Sequence, residues 1–265
     1  MITSTKIGRY GNLCNSMFQF AAVIGMAKKT GLDAAIPHNE TYYDAHYECY
    51  NTSIFDGFNI TIPTDLGNNI FKEVHFPFEY VDVSLDDFTD MVGYFQTEKY
   101  FESAELEIRN QFIFKDNIKE VIDRKIKNGD YPDPLKCTSI HIRLGDYVKK
   151  RDYHPAMSVD YYQAASRIAA KDNFIIFSDD IYTAKKMFGN RSSIFYSEEK
   201  DPFSALYHMS LCSNNIICNS TFGWWGAWLG EPLAKDKVVV APKAWFGPGH
   251  SYNTKDIIPD RWKIL

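Results

Sequence analysis

Three short polar groups in the second half of the chain carry residue types that could do chemistry, and each follows an apolar run. They are His141-Ile142-Arg143-Leu144-Gly145-Asp146-Tyr147, Ser178-Asp179-Asp180 and Asn219-Ser220-Thr221-Phe222. Arg143 is a permanent cation whose forked N–H donors match phosphate oxygens. Ser220 and Thr221 open a helix, where unpaired backbone N–H groups and the positive dipole end favour an anion. Asp179 could accept from the N–H groups of a guanine edge, a donor pair that adenine lacks. His141 could bond a ribose hydroxyl or a phosphate. These types together suit a nucleoside diphosphate. Each also has a plainer structural reading. Ser220 or Thr221 is equally an N-cap, Asp180 a cap of its following helix, and Arg143 with Asp146 an ion pair. His141 alternates with Ile140 and Ile142, as a satisfied, partly buried imidazole would. Trp224, Trp225 and Trp228 read as core, since 224 and 228 share a helical face.

The elements that must position these groups are legible from residue 136 onward. Strands are expected at 136–142, 174–177, 194–196, 215–218 and 237–240, and helices at 158–171, up to Gly189, 203–213 and 221–229. Strands alternating with helices at this spacing imply a parallel α/β sheet. Ligands of such a sheet lie outside the carboxyl ends of its strands, which places all three polar groups along one rim. That coincidence favours the binding reading.

The first half begins strand, loop, helix. A strand is expected over 2–7, then the turn-rich Gly8-Arg9-Tyr10-Gly11-Asn12, then a helix through Phe20, Ile24 and Ala27 that stops near Gly31. Residues 32–36 suggest a second strand, 38–92 give few elements, and a charged helical stretch covers roughly 97–128. Tyr42, Tyr43, Tyr47 and Tyr50 form an aromatic cluster that reads as packing, with a sugar platform as the alternative. The segment 127–134, rich in Pro, Gly and polar residues, is the best linker. Two α/β domains facing each other are expected, an N-terminal one over 1–130 and a C-terminal one over 135–265, with the boundary near 128–136.

Composition narrows the classes. With 45% apolar and 24% charged residues the chain is ordinary globular protein. A net charge of −5 gives no global pull toward nucleic acid or anionic membrane. The five cysteines, Cys14, Cys49, Cys137, Cys212 and Cys218, are odd in number and lack CxxC spacing, so reduced thiols in a reducing compartment are expected. No signal peptide and no run of ~18 apolar residues is present, so the expectation is a cytoplasmic protein without a transmembrane segment. P-loop, HExxH and GxSxG patterns are absent. Adjacent Asp179 and Asp180 would point apart from a strand end, so no metal is expected.

Three segments resemble a known family. Gly8-Arg9-Tyr10-Gly11-Asn12 followed by Met17-Phe18-Gln19-Phe20-Ala21, the His141–Tyr147 group, and Cys218-Asn219-Ser220-Thr221-Phe222-Gly223-Trp224-Trp225-Gly226-Ala227-Trp228-Leu229 are similar to the landmark motifs of family 11 glycosyltransferases. Those are α-1,2-fucosyltransferases that use GDP-fucose. The landmarks keep family order from residue 8 to 229, with Phe177-Ser178-Asp179-Asp180 between them. The chain departs in carrying Leu13-Cys14-Asn15-Ser16 between Asn12 and Met17, where the family has one residue, so that Asn15 could take the role of Asn12. It also has Leu144 in place of a second arginine and Gly223 in place of a serine.

The resemblance implies a GT-B-like architecture of two Rossmann-like domains facing a cleft, the first on the acceptor side and the second binding the donor. It implies metal-independent transfer of L-fucose from GDP-fucose to a glycan hydroxyl with inversion. Arg143 would hold the β-phosphate. His141, Asp179, Ser220, Thr221 and Phe222 would line the GDP site. Asn12, on the loop that includes Gly11, would sit near the transferred sugar. Another GDP-deoxyhexose, such as GDP-rhamnose, and a non-catalytic GDP- or glycan-binding module are the alternatives.

Overall fold

Val, Ile and Phe runs bounded by capped helices fold as parallel strands with helical crossovers, because parallel strands can be joined only by connections long enough to recross the sheet. The computed structural model describes residues 1–44, 49–149 and 152–265, without the side chains of Asp44, Cys49 and Lys149. It divides into two units, Met1–Lys115 with Tyr252–Pro259, and Asp116–Ser251 with Asp260–Leu265.

The first unit runs β1 (Ile2–Thr3), α1 (Leu13–Thr30), β2 (Tyr42–Asp44), β3 (Cys49–Asn51), α2 (Ile54–Gly57), β4 (Lys72–His75), β5 (Thr89–Val92) and α3 (Glu105–Gln111). Its parallel sheet has the order β1-β5-β4, and β2 and β3 make a separate antiparallel pair. The strand expected over 2–7 ends at Thr3, because the chain turns at once: Ile7 N–H bonds Ser4 O, Arg9 N–H bonds Lys6 O, and Gly8 and Gly11 take φ of +79° and +82°. The strand expected over 32–36 reduces to one parallel bridge, Ile2 to Ala34. Helix α1 stops where expected, at Gly31 with φ +71°, whose N–H reaches back to Ala27 O. It is buried along nearly its whole length, and Gly25 lets it approach the next layer: a Cβ there would lie 2.1 Å from Tyr100 O.

The charged stretch 97–128 is not one helix. Two short 3-10 turns, Glu98–Tyr100 and Glu102–Ala104, precede α3, and the chain turns at Phe112 and bridges from Phe114 to Phe58 before α4 (Asp116–Asn128). Phe112 and Phe114 explain the break. Both are buried, with ring centroids 4.9 and 4.8 Å from Phe58. Burying those rings outweighs continuing an exposed helix. Of the tyrosine cluster, Tyr47 lies outside the described residues. Tyr43 and Tyr50 meet edge-on at 5.4 Å and stay more than half exposed.

The second unit opens on α4 and continues β6 (Cys137–Ile142), α5 (Gly145–Lys149), α6 (Val159–Ala169), β7 (Asn173–Ser178), α7 (Ile181–Phe188), β8 (Ile194–Tyr196), α8 (Pro202–Leu211), β9 (Asn214–Ile216), α9 (Thr221–Leu229), β10 (Val239–Ala241) and β11 (Lys263–Ile264). All six strands are parallel, in the order β11-β10-β9-β6-β7-β8. Counted within this sheet, that is the 3-2-1-4-5-6 order of a doubly wound fold. Alternation divides its strands between two faces: Ile140, Ile142 and Ile176 join one buried cluster, Cys137, Ile175 and Phe177 the other. The division between units falls before α4, not in the segment 128–136. Helix α4 packs on α8, with Tyr207 Oη donating to Asp123 at 3.2 Å and Lys125 pairing with Glu199 at 2.5 Å. Near the C-terminus Tyr252–Pro259 returns to the first unit, where Asp256 pairs with Lys99 at 2.5 Å.

Behind α8, His208 is fully buried between the rings of Tyr131 at 4.3 Å and Phe177 at 5.2 Å, and neither ring nitrogen has a hydrogen-bond partner among the described residues. Burial, reinforced by the charge of Lys125, pulls its pKa down to about 3. The unfolded imidazole takes a proton below about 6.5, whereas the folded one does not until much lower pH. Its contribution to stability is therefore complete above about pH 6.5 and lost as pH falls toward 3. His208→Leu is expected to flatten the fall in melting temperature between pH 7 and pH 5. Melting curves at the two pH values check this, and an unchanged slope counts against it.

Candidate active site

The reversal of strand order between β6 and β9 leaves a crevice outside their carboxyl ends, because the crossovers leave in opposite directions there. The chain leaving β6 carries Arg143, and the chain leaving β9 carries Asn219, Ser220 and the start of α9. Asp179 leaves β7, the neighbour of β6 on its other side.

Arg143 is held, not loose. Its Nη2 and Nε donate to Asp146 Oδ1 at 2.7 and 3.2 Å, and Nε lies 3.2 Å from Asp179 Oδ2. The other carboxylate oxygen, Asp179 Oδ1, accepts the Leu144 N–H at 2.9 Å. Asp179 is thus fixed to the backbone and in turn fixes the fork. Burial works to lower the guanidinium pKa, but the two carboxylates outweigh it and the net shift is upward. The Arg143 side chain remains about one-third exposed, and among the described residues its Nη1 makes no hydrogen bond. Gly145 makes room, since a Cβ there would sit 2.5 Å from Asp179 Oδ2. Asp180 takes the capping role: its carboxylate accepts Thr183 N–H at 2.9 Å and Thr183 Oγ1 at 2.6 Å. The two adjacent aspartates therefore serve different partners, and among the described residues no group of three His, Cys, Asp or Glu side chains is placed to hold a metal ion.

His141 is 5% exposed. Its Nδ1 lies 3.3 Å from Cys218 Sγ and its ring 5.4 Å from that of Phe222. Burial first, and Arg143 second, pull its pKa down to about 3, so it is neutral. Ser220 is the N-cap of α9, its Oγ accepting Phe222 N–H at 3.4 Å, with Thr221 as the first helical residue. Thr221 and Phe222 are partly exposed at this tip. Gly223 is explained by close approach, since a Cβ would meet His141 Nδ1 at 2.8 Å. Leu144 is buried with Ile140 and Ile142, so this chain offers the core a hydrocarbon where the family motif has a second arginine. The tryptophans are core as expected, with Trp224 and Trp228 stacked at 6.2 Å.

Three tyrosines to which the sequence reading gave no role of their own pin this rim. Tyr147 Oη donates to Asn219 O at 3.0 Å, Tyr161 Oη to Ile217 O at 2.6 Å and Tyr162 Oη to His141 O at 3.2 Å. Tyr161 and Tyr162 sit on one helix turn as a Tyr-Tyr pair, the one visible sign that both faces of that turn end in a hydroxyl.

Within the first unit, Gly11 and Asn12 lie on the loop between β1 and α1. Asn12 is the N-cap residue of α1, and its carbonyl accepts Asn15 N–H at 2.9 Å, though its side chain makes no cap hydrogen bond. The loop is clamped from behind. Asn51 Nδ2 donates to Gly8 O and, at 3.0 Å, to Gly11 O, and Tyr42 Oη donates to Gly8 O at 3.1 Å. Gln19 Nε2 reaches Tyr10 O at 3.4 Å, and Gln96 Nε2 reaches Asn15 Oδ1 at 2.8 Å. Of these carboxamides the sequence singled out Gln19, through the family motif, and Asn15, through the extra residues before Met17, but neither Asn51 nor Gln96.

The O-antigen biosynthesis glycosyltransferase WbnK of Escherichia coli is 37% identical over 135 residues, 47% of this chain and 43% of that protein. An α-1,2-colitosyltransferase of Escherichia coli is 30% identical over 196 residues, 69% of this chain and 64% of that protein. The matched stretches thus span less than two thirds of either relative's own length. Among solved structures, the NodZ α-1,6-fucosyltransferase of Bradyrhizobium, in a crystal soaked with GDP-fucose, superposes with a TM-score of 0.57 at 12% identity, over 86% of this chain and 91% of that one. At that identity the likeness shows the fold alone, an α/β architecture of the GT-B-like kind. The family model for glycosyl transferase family 11 matches residues 2–263, and the chain belongs to that family.

Proposed function

We propose that this chain transfers L-fucose from GDP-fucose to a glycan hydroxyl, in α-1,2 linkage, with inversion at the anomeric carbon and without a metal ion. The observation that carries the reading is the Arg143 fork, braced by Asp179 at the switch point of a doubly wound sheet and adjoined by the N-terminus of α9. As the sugar–phosphate bond breaks, negative charge collects on the departing GDP. A guanidinium already oriented by Asp179 stabilises that charge more in the transition state than in the ground state, with little reorganisation. Asp146 is the exchangeable partner. Its side chain is more exposed than that of Asp179, which is anchored to the Leu144 N–H, so an arriving phosphate replaces Asp146 on the fork and leaves Asp179 in place. Thr221 and Phe222 line the tip of α9, and His141 supports that tip from beneath as a neutral imidazole. Asp179 positions Arg143, and its remaining lone pairs are available to a guanine edge. Asn12 and Gly11 serve the sugar.

A donor carrying another GDP-linked deoxyhexose is the second reading, favoured by the 30% identity to a colitosyltransferase. A panel of GDP-sugars assayed for donor hydrolysis decides between them. Release of fucose from GDP-fucose is expected. Turnover of a different deoxyhexose alone selects the second reading, and calorimetry that finds GDP bound with no sugar released from any donor means a binding module. Hydrolysis is expected to persist in excess chelator, and its loss there, with recovery on adding manganese or magnesium, would end the metal-free account.

Arg143→Ala is expected to lower donor hydrolysis about a hundredfold or more, corresponding to the ~3 kcal/mol typical of a lost transition-state donor. Arg143→Lys should recover little of it, because an ammonium cannot hold Asp179 and a phosphate on one rigid plane. Steady-state rates with GDP-fucose measure both, and near-normal turnover by Arg143→Ala would remove the central residue.

A further inference from the structure

Gln96 follows the carboxyl end of β5, the central strand of the parallel sheet of the first unit. The chain reaches it through Phe95, a non-glycine residue at φ +53°. That left-handed conformation costs of order 1 kcal/mol and persists only where surroundings enforce it. Here they do, since the Phe95 ring is fully buried, 5.0 Å from Phe76 and 5.2 Å from Tyr100. The turn therefore delivers Gln96 to a fixed place. Its Nε2 donates to Asn15 Oδ1 at 2.8 Å, and its Oε1 is buried without a hydrogen-bond partner among the described residues. Asn15 is as tightly placed: its Nδ2 fills the space beside Gly11, where a Cβ would come within 1.8 Å of it.

A carboxamide has one acceptor oxygen and two donor hydrogens. Joining Asn15 and Gln96 through one N–H···O bond leaves a donor, Asn15 Nδ2, beside an acceptor, Gln96 Oε1. A vicinal diol on a pyranose ring presents the matching pair, one hydroxyl accepting and its neighbour donating. The alternative, a merely structural Gln96, leaves its buried acceptor unpaired, which ordinarily costs about 1–3 kcal/mol. Gln19 and Asn51 also carry unpaired oxygens, but their amides reach backbone carbonyls, Gln19 those of Tyr10 and Gly93 and Asn51 those of Gly8 and Gly11 with the Tyr42 hydroxyl besides. Of the three, Gln96 is the one whose amide reaches no backbone carbonyl among the described residues, only the Asn15 side chain.

We propose that Gln96 and Asn15 form one sugar-reading unit, which binds two adjacent hydroxyls of the transferred deoxyhexose and makes Gln96 a specificity-determining residue. The inference rests on the GDP-sugar reading above. Asn15→Asp is the discriminating variant. It is isosteric and still accepts from Gln96 Nε2, but it turns the free donor into an acceptor. Gln96→Leu removes the acceptor and the bond that orients Asn15. Each is expected to lower kcat/KM for GDP-fucose hydrolysis at least tenfold while the inhibition constant of GDP, which lacks the sugar, stays within about twofold of the parent. Melting curves identify a variant that has unfolded, and Asn15→Asp then carries the test by itself. A wild-type chain that binds GDP and hydrolyses GDP-fucose, with Asn15→Asp matching it in kcat/KM, overturns this inference and leaves the donor reading standing. A wild-type chain that does not bind GDP overturns both.

Discussion

The bond between Arg143 and Asp179 is the constraint from which the candidate site of the second unit is built. A guanidinium on an unbraced loop would spend binding energy on being ordered when a phosphate arrives. Asp179 removes that cost by tying the fork to the Leu144 N–H, so that the cation, the carboxylate and the backbone leaving β6 form one rigid unit. The bracing has its own demands. Gly145 must lack a side chain, because a Cβ would strike the carboxylate, and Leu144 must turn inward to the core for its N–H to face Asp179. A second arginine at 144 would have to leave that core or bury a charge, so the hydrocarbon there agrees with the local packing.

Topology brings these parts together. In the 3-2-1-4-5-6 order, β6 and β9 are neighbours although 71 residues separate their ends (213 − 142), and their crossovers depart to opposite faces. Loops that leave such a junction are not covered by their own helices, which is why a ligand can enter there. The same junction exposes carbonyls at strand ends, and Tyr147, Tyr161 and Tyr162 satisfy them with hydroxyls from α5 and α6. A buried carbonyl left unpaired would be costly, so these tyrosines both close the hydrogen-bond inventory and fix where Arg143 and Asn219 begin.

How far the sequence disclosed this depends on the kind of signal. The second unit was legible nearly strand by strand, because a sheet covered on both faces produces continuous apolar runs such as Phe174-Ile175-Ile176-Phe177, and α6, α7, α8 and α9 each open on a side-chain cap. The rim groups were legible for the same reason, as polar residues immediately after those runs. The break at Phe112 and Phe114 was not, because helical periodicity records local preference while the rings answer to Phe58, more than fifty positions away. Strand β1 shrank for a related reason: the Gly8 and Gly11 turns, with positive φ, draw the chain out of the sheet after Thr3. The allocation of α4 also depended on a distant partner, α8, which no composition change near 130 could reveal.

The loop site of the first unit was the least legible part, and its chemistry explains why. Charged groups announce themselves, since their burial demands a counter-charge and the pairing narrows their roles. Carboxamides are neutral, common and equally at home on any surface. Asn51 and Gln96 acquire meaning only when the loop of left-handed glycines is in place, Asn51 bonding its carbonyls and Gln96 the Asn15 side chain. Once assembled, the two units present contrasting chemistries. One offers a fixed cation and a helix tip suited to a charged leaving group, and the other a set of neutral donors and acceptors suited to hydroxyls.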